Sequence, residues 1–91
     1  EISLGIDEID FGNGLSIYPN PASDELTILF KETVKSDQDY QIFDISGKMV
    51  KNGTLGRQQK ISLNIQELQN GYYVLSIVNK DGQANFKFMV E

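Results

Sequence analysis

Apolar residues along this chain recur at every second position in short runs, and turn-forming residues separate the runs. Residues 25–31 show the pattern most plainly: Leu26, Ile28 and Phe30 share one face of an extended chain, and Thr27, Leu29 and Lys31 share the other. Residues 59–65 repeat it, with Ile61, Leu63 and Ile65 directed inward and Lys60, Ser62 and Asn64 outward. Residues 72–79 and 83–90 form the clearest hairpin, joined at Asp81-Gly82 in the order a type I′ turn favours, with Ala84, Phe86, Phe88 and Val90 on a common face. Residues 15–18 predict a short edge strand closed by Pro19-Asn20-Pro21, because two prolines fix the backbone and withhold ladder hydrogen bonds. Residues 39–45 carry Tyr40, Ile42, Phe43 and Ile45 on both faces, which predicts a central strand covered on both sides with Asp44 as the exception. Residues 48–55 follow the Ser46-Gly47 turn, and Asn52-Gly53 within them reads as a bulge rather than a reversal. Only residues 66–69 have helical character, a single turn ended by Asn70-Gly71.

Residue type agrees with the periodicity. Ile, Val and Thr together number 18 of the 91 residues, whereas Ala, the best helix former, occurs twice. About seven short strands with turn signals every 8–12 residues predict an all-β, immunoglobulin-like antiparallel sandwich, with a small closed barrel as the competing arrangement. One-sided apolar faces favour two packed sheets.

Composition then removes most chemistry. The chain has no Cys and no His. Ser-His-Asp and Cys-His nucleophile systems, HExxH zinc sites and imidazole bases therefore have no residues to work with. Two carboxylates in a cleft would be needed for glycosidase chemistry, and a sandwich this small offers little concavity, so no enzyme activity, no small-molecule substrate and no cofactor are expected. Asp37, Asp39, Asp44 and Asp81 lack the spacing of a calcium loop and read as turn formers, so no metal is expected either. The net charge is −5, and four of the thirteen acids lie in the first fourteen residues without a base among them. The eight bases are scattered from Lys31 to Lys87 rather than gathered in a stripe, which argues against nucleic-acid binding.

Four blocks, in order, carry a family resemblance. They are Leu15-Ser16-Ile17-Tyr18-Pro19-Asn20-Pro21-Ala22, Ile42-Phe43-Asp44-Ile45-Ser46-Gly47-Lys48-Met49-Val50, Leu68-Gln69-Asn70-Gly71-Tyr72-Tyr73-Val74-Leu75 and Phe86-Lys87-Phe88-Met89-Val90. Residues 15–91 resemble the type A C-terminal sorting domain of the type IX secretion system, found on cargo proteins of Bacteroidota. One departure is the final Glu91, where many members end in further basic residues.

The resemblance implies an address rather than a catalyst. The cargo ahead of the domain would pass through the periplasm, the outer-membrane translocon would read the domain, and a sortase-like cysteine peptidase would remove it, leaving the cargo anchored at the cell surface or released. Residues 1–14 form the acidic linker where such a cut is expected, since a protease needs extended, accessible backbone. Recognition candidates are Pro19, Asn20, Pro21, Gly47, Lys48, Gly71, Tyr73 and Lys87. Each also has a plainer reading: the prolines as a rigid turn, the glycines as sites of positive φ, and the lysines as charges that keep strand edges soluble. Tyr72 and Tyr73 alternate across one strand, so one belongs to the core and the other to the surface. Unpaired edge strands are a further recognition candidate through main-chain bonding, and they also permit a weak edge-to-edge dimer. The alternative is a carbohydrate-binding or adhesive sandwich module retained on a surface protein.

Overall fold

Eight strands appear in a computed structural model that describes residues 9–10, 14–19, 21–32, 34–80 and 82–91. They are β1 (Ile9–Asp10), β2 (Leu15–Tyr18), β3 (Glu25–Phe30), β4 (Gln38–Asp44), β5 (Met49–Gly56), β6 (Lys60–Asn64), β7 (Gly71–Asn79) and β8 (Gly82–Val90). One sheet has the order β1-β2-β3-β6 and the other β5-β4-β7-β8, with every neighbouring pair antiparallel.

The register explains why alternation on each strand yields one common core. In the first sheet Ile17, Ile28 and Ile61 lie side by side across three strands, and Leu26 pairs with Leu63. In the second, Ile42, Leu75 and Phe86 form one row, and Tyr40, Ile77 and Ala84 the next. These inward faces meet between the sheets, where Ile17, Leu26, Ile28, Ile42 and Leu75 are fully buried. Burying each such side chain contributes about 1.5–3 kcal/mol, which is the main force holding the sheets together. The Tyr73 and Phe88 rings stack at a centroid distance of 5.8 Å inside this layer.

The structure departs from the sequence reading at several places. Residues 15–18 form an interior strand, because Ile9 and Asp10 pair with Ile17 and Ser16 on the outer side. The strand over 39–45 ends at Asp44, and it is covered on one face only: Phe43 is half-buried, and Ile45 lies in the following turn with 82% of its surface exposed. A two-layer sandwich has a single interior, so the odd-numbered residues of this strand necessarily face outward. Asn52-Gly53 does not bulge. β5 runs through it, and the register slips on either side, at Val50 and Leu55, turning Leu55 into the core. Gly53 lies opposite Tyr40, and a Cβ there would come within 2.9 Å of the ring, so the site requires glycine for lack of space. Gly82 sits opposite Asn79 as the first residue of β8, so it belongs to the strand and not to the turn; Asp81 lies outside the described residues. Residues 65–68 make one turn, closed by the Leu68 N–H to the Ile65 carbonyl at 3.0 Å, without continuing as helix.

Candidate functional site

β2, β4 and β8 end, and β3, β5 and β7 begin, at the same end of the sandwich, because each is antiparallel to its neighbours. The four sequence blocks therefore converge in space although they are spread over the chain. Every recognition candidate among the described residues lies at or near this end.

The block around Gly47 is a turn built on one carboxylate. Asp44 Oδ1 accepts hydrogen bonds from the Ser46 hydroxyl at 2.6 Å, the Ser46 N–H at 2.9 Å and the Lys48 N–H at 3.1 Å. The Ser46 hydroxyl first, and then the Lys48 N–H, hold the Asp44 carboxyl below its ordinary pKa. Gly47 adopts φ +90°, a conformation that costs side-chain-bearing residues and not glycine. The turn keeps the strands in register and leaves Ile45 and Lys48 facing water.

The chain after β2 reaches the other sheet at Ala22. The Tyr18–Pro19 peptide is cis, and the chain then brings Ala22 alongside the end of β8. The Ala22 N–H donates to the Met89 carbonyl and the Ala22 carbonyl accepts from the Glu91 N–H, both at 2.8 Å. Pro19 and Pro21 are partly covered, and Asn20 lies outside the described residues.

Gly71 opens β7 at φ +151°, opposite Val90. Tyr73 is the core member of its pair: it is 7% exposed, and its hydroxyl donates to the Gln69 carbonyl at 2.6 Å, fastening the preceding loop. Tyr72 takes the surface, with the Lys87 ammonium 4.7 Å from its ring centroid. On the outer face of the second sheet Met49, Phe43, Val74 and Lys87 form a row across four strands, and Tyr72 pairs with Met89 beside it. The result is an apolar surface that carries the Lys87 ammonium, with Lys48 exposed in the adjoining turn. Sequence reasoning divided Tyr72 and Tyr73 between surface and core without saying which was which, and it missed Ile45 and Met49 as surface groups, although Phe43 and Ile45 share a parity opposite to that of Tyr40 and Ile42.

Two other regions have less to offer chemically. A hollow at the opposite end is lined by Leu15, Phe30, Val34, Gln38 and Ile77, with one acid, Glu32, and one base, Lys35, on its wall. Asp37 is engaged by Arg57 at 3.1 Å, and Asp44 lies at the end of the sandwich away from Gly82. Among the described residues no three acidic side chains gather as a cation site would require, and no helix is long and apolar enough to cross a membrane.

Comparison with known families decides the assignment. The model of the secretion system C-terminal sorting domain matches residues 16–91. The chain belongs to this family. The sorting domain is also similar in fold to a DUF3244-family protein of Bacteroides vulgatus with an immunoglobulin-like β-sandwich. The TM-score is 0.73 at 17% identity, covering 93% of this chain and 92% of the other, a likeness of fold alone. No curated protein matches the sequence. The sorting domain is thus an all-β immunoglobulin-like sandwich and a type IX sorting signal, which implies delivery to the outer membrane and beyond.

Proposed function

We propose that this domain is the address of a cargo protein joined ahead of residue 1, and that the type IX outer-membrane translocon reads it after the folded cargo reaches the periplasm. A sortase-like peptidase on the far side then cuts within residues 1–14, and the cargo is anchored at the surface or released. The match over residues 16–91 carries the reading. The convergence of the four blocks at one end of the sandwich supports it, since a receptor then meets Lys48, Lys87 and the turn at Gly47 in one approach.

In this reading the candidate residues divide their work. Lys48 and Lys87 contact the receptor. Gly47, Gly71, Pro19, Asn20 and Pro21 shape the loops around them, and Tyr73 supports that end from inside. No step of the work calls for a nucleophile, a proton shuttle or a cofactor, and the domain acts as a ligand of the export machinery.

A fluorescent reporter fused ahead of residues 1–91, behind a signal peptide, in a host with a working type IX system tests this directly. The full fusion reaches the surface or the medium, whereas a fusion ending at Gly14 stays in the periplasm. Equal retention of both fusions in the periplasm would refute the reading.

A further inference from the structure

Strands that border a sheet expose unpaired backbone groups, and proteins normally guard them with charges, bulges, brevity or cover. Three of the four borders in this sandwich are guarded. Among the described residues β1 is two residues long and β6 five, and β6 carries Lys60. β5 has register slips on both sides of its centre. It also places Lys51, the partner of Ile42, on the inward-facing side, where the ammonium meets Glu67 at 2.8 Å.

β8 differs. It spans nine residues without proline and pairs with β7 in unbroken register from Gly71–Val90 to Asn79–Gly82. The Ala22 bonds to Met89 and Glu91 show which backbone groups face away from β7: those of the odd-numbered residues. Gln83, Asn85 and Lys87 follow the same alternation, and among the described residues no strand lies beside them. The Gln83 amide donates to Ser76 Oγ at 2.6 Å and to Asn85 Oδ1 at 3.1 Å, which fixes the outer side of this edge in advance. Beyond it, the Ala22 segment already uses the last stretch of β8 as a bonding edge.

We propose that the backbone groups of Gln83, Asn85 and Lys87 that face away from β7 accept an extended segment of the outer-membrane export machinery as an added strand. The inference rests on the sorting reading above. Main-chain bonds supply the affinity, and the flanking side chains set the preference. On the outer side the guest strand lies beside Lys87, so it carries a carboxylate there; on the inner side it lies beside the half-buried Ala84, so it carries a small apolar residue there. A second copy of the chain fits less well, because β8 has no acid to offer Lys87 and two chains of charge −5 repel.

The test uses the full chain fused to cargo in a type IX host, with a photo-crosslinking residue at Asn85 or, for comparison, at the exposed Asn52 of β5. Crosslinking from position 85, and not from 52, to an outer-membrane component of the machinery is expected. Asn85→Pro removes an N–H that faces away from β7, so it leaves the β7–β8 ladder intact and lowers export by about tenfold or more. Normal export of folded Asn85→Pro, crosslinking of 85 to a second copy of the chain, equal crosslinking from both positions, or crosslinking from neither would overturn the proposal. If Asn85→Pro does not fold, the crosslinking pair decides alone. Failure of the unsubstituted fusion to be exported refutes the sorting reading itself, whereas normal export with any overturning outcome refutes only the edge.

Discussion

β5 and β8 border the same sheet and have nearly the same length, eight and nine residues, yet they treat solvent in opposite ways. β5 is broken in register, holds two glycines and carries a charge on its inner side, so another strand finds no even ladder to join. β8 is regular throughout and presents polar side chains on its outer side at Gln83, Asn85 and Lys87. A sheet needs only one such strand to associate by backbone bonding, and the guarding of the other limits where association occurs. The difference cannot come from core packing, because both strands contribute buried residues: Leu55 from β5, and Phe86, Phe88 and Val90 from β8.

The largest effect expected from breaking this comparison lies on the inner side of β8. Phe88→Ala removes a ring that is 1% exposed and stacked on Tyr73, and it should cost about 3–5 kcal/mol in urea unfolding. A loss under about 1 kcal/mol would mean that β8 is not anchored as described.

Next in size is the close approach at β5. Gly53→Ala drives a methyl group into the Tyr40 ring, which is buried and has little room to retreat, and should cost about 1–3 kcal/mol. The same unfolding experiment on Asn85→Ala should show a change within about 0.5 kcal/mol, since that side chain is exposed.

Lys51→Met removes the inward charge from β5. The Lys51–Glu67 pair is partly exposed, so the loss of stability should lie within about 1 kcal/mol after solvent screening. Self-association measured by analytical ultracentrifugation should rise with concentration, because β5 then lacks its charge. The pair also has a pH signature. Its hydrogen bond to Glu67 raises the pKa of Lys51, so that contribution is complete below the unfolded-state pKa of lysine and disappears as pH climbs through the folded one. The bond to Lys51 lowers the pKa of Glu67, so that contribution is complete above the unfolded-state pKa of glutamate and disappears as pH falls through the folded one. Lys51→Met flattens both limbs of the stability profile.

The smallest effect belongs to the turn that precedes β5. Ser46 and Lys48 hold the Asp44 carboxyl low, so its contribution is present above the ordinary carboxylate range and is lost as pH falls through its folded value. Asp44→Asn should shallow the acid limb of a thermal melt series and leave the neutral region nearly unchanged.

Alternation alone made the strands readable. Leu26, Ile28 and Phe30, or Ile61 and Leu63, announce both their strand and their inward face within a few consecutive residues. Long-range pairing was not readable in this way. Nothing near Gly53 signals that Tyr40 lies across from it, and nothing near Lys51 signals Glu67 in a loop sixteen residues later. Phe43 and Ile45 misled because hydrophobicity by itself reads as burial, whereas their parity puts them on the outer side of a two-layer fold. Of the candidate site, the motif residues were legible one by one, but their meeting at one end depends on strand order. Asp44 shows the reverse case. Its position among apolar residues looked anomalous in the sequence, and the bonds to Ser46 and Lys48 explain it.

The most direct test of the central account is peptide mapping of cargo recovered from the surface or medium of a type IX host after export as a fusion to residues 1–91. The account predicts a new C-terminus within residues 1–14 and no peptides from residues 15–91. Exported cargo that retains Tyr73, Phe88 and the rest of the sandwich would contradict it and identify a module that stays with its protein.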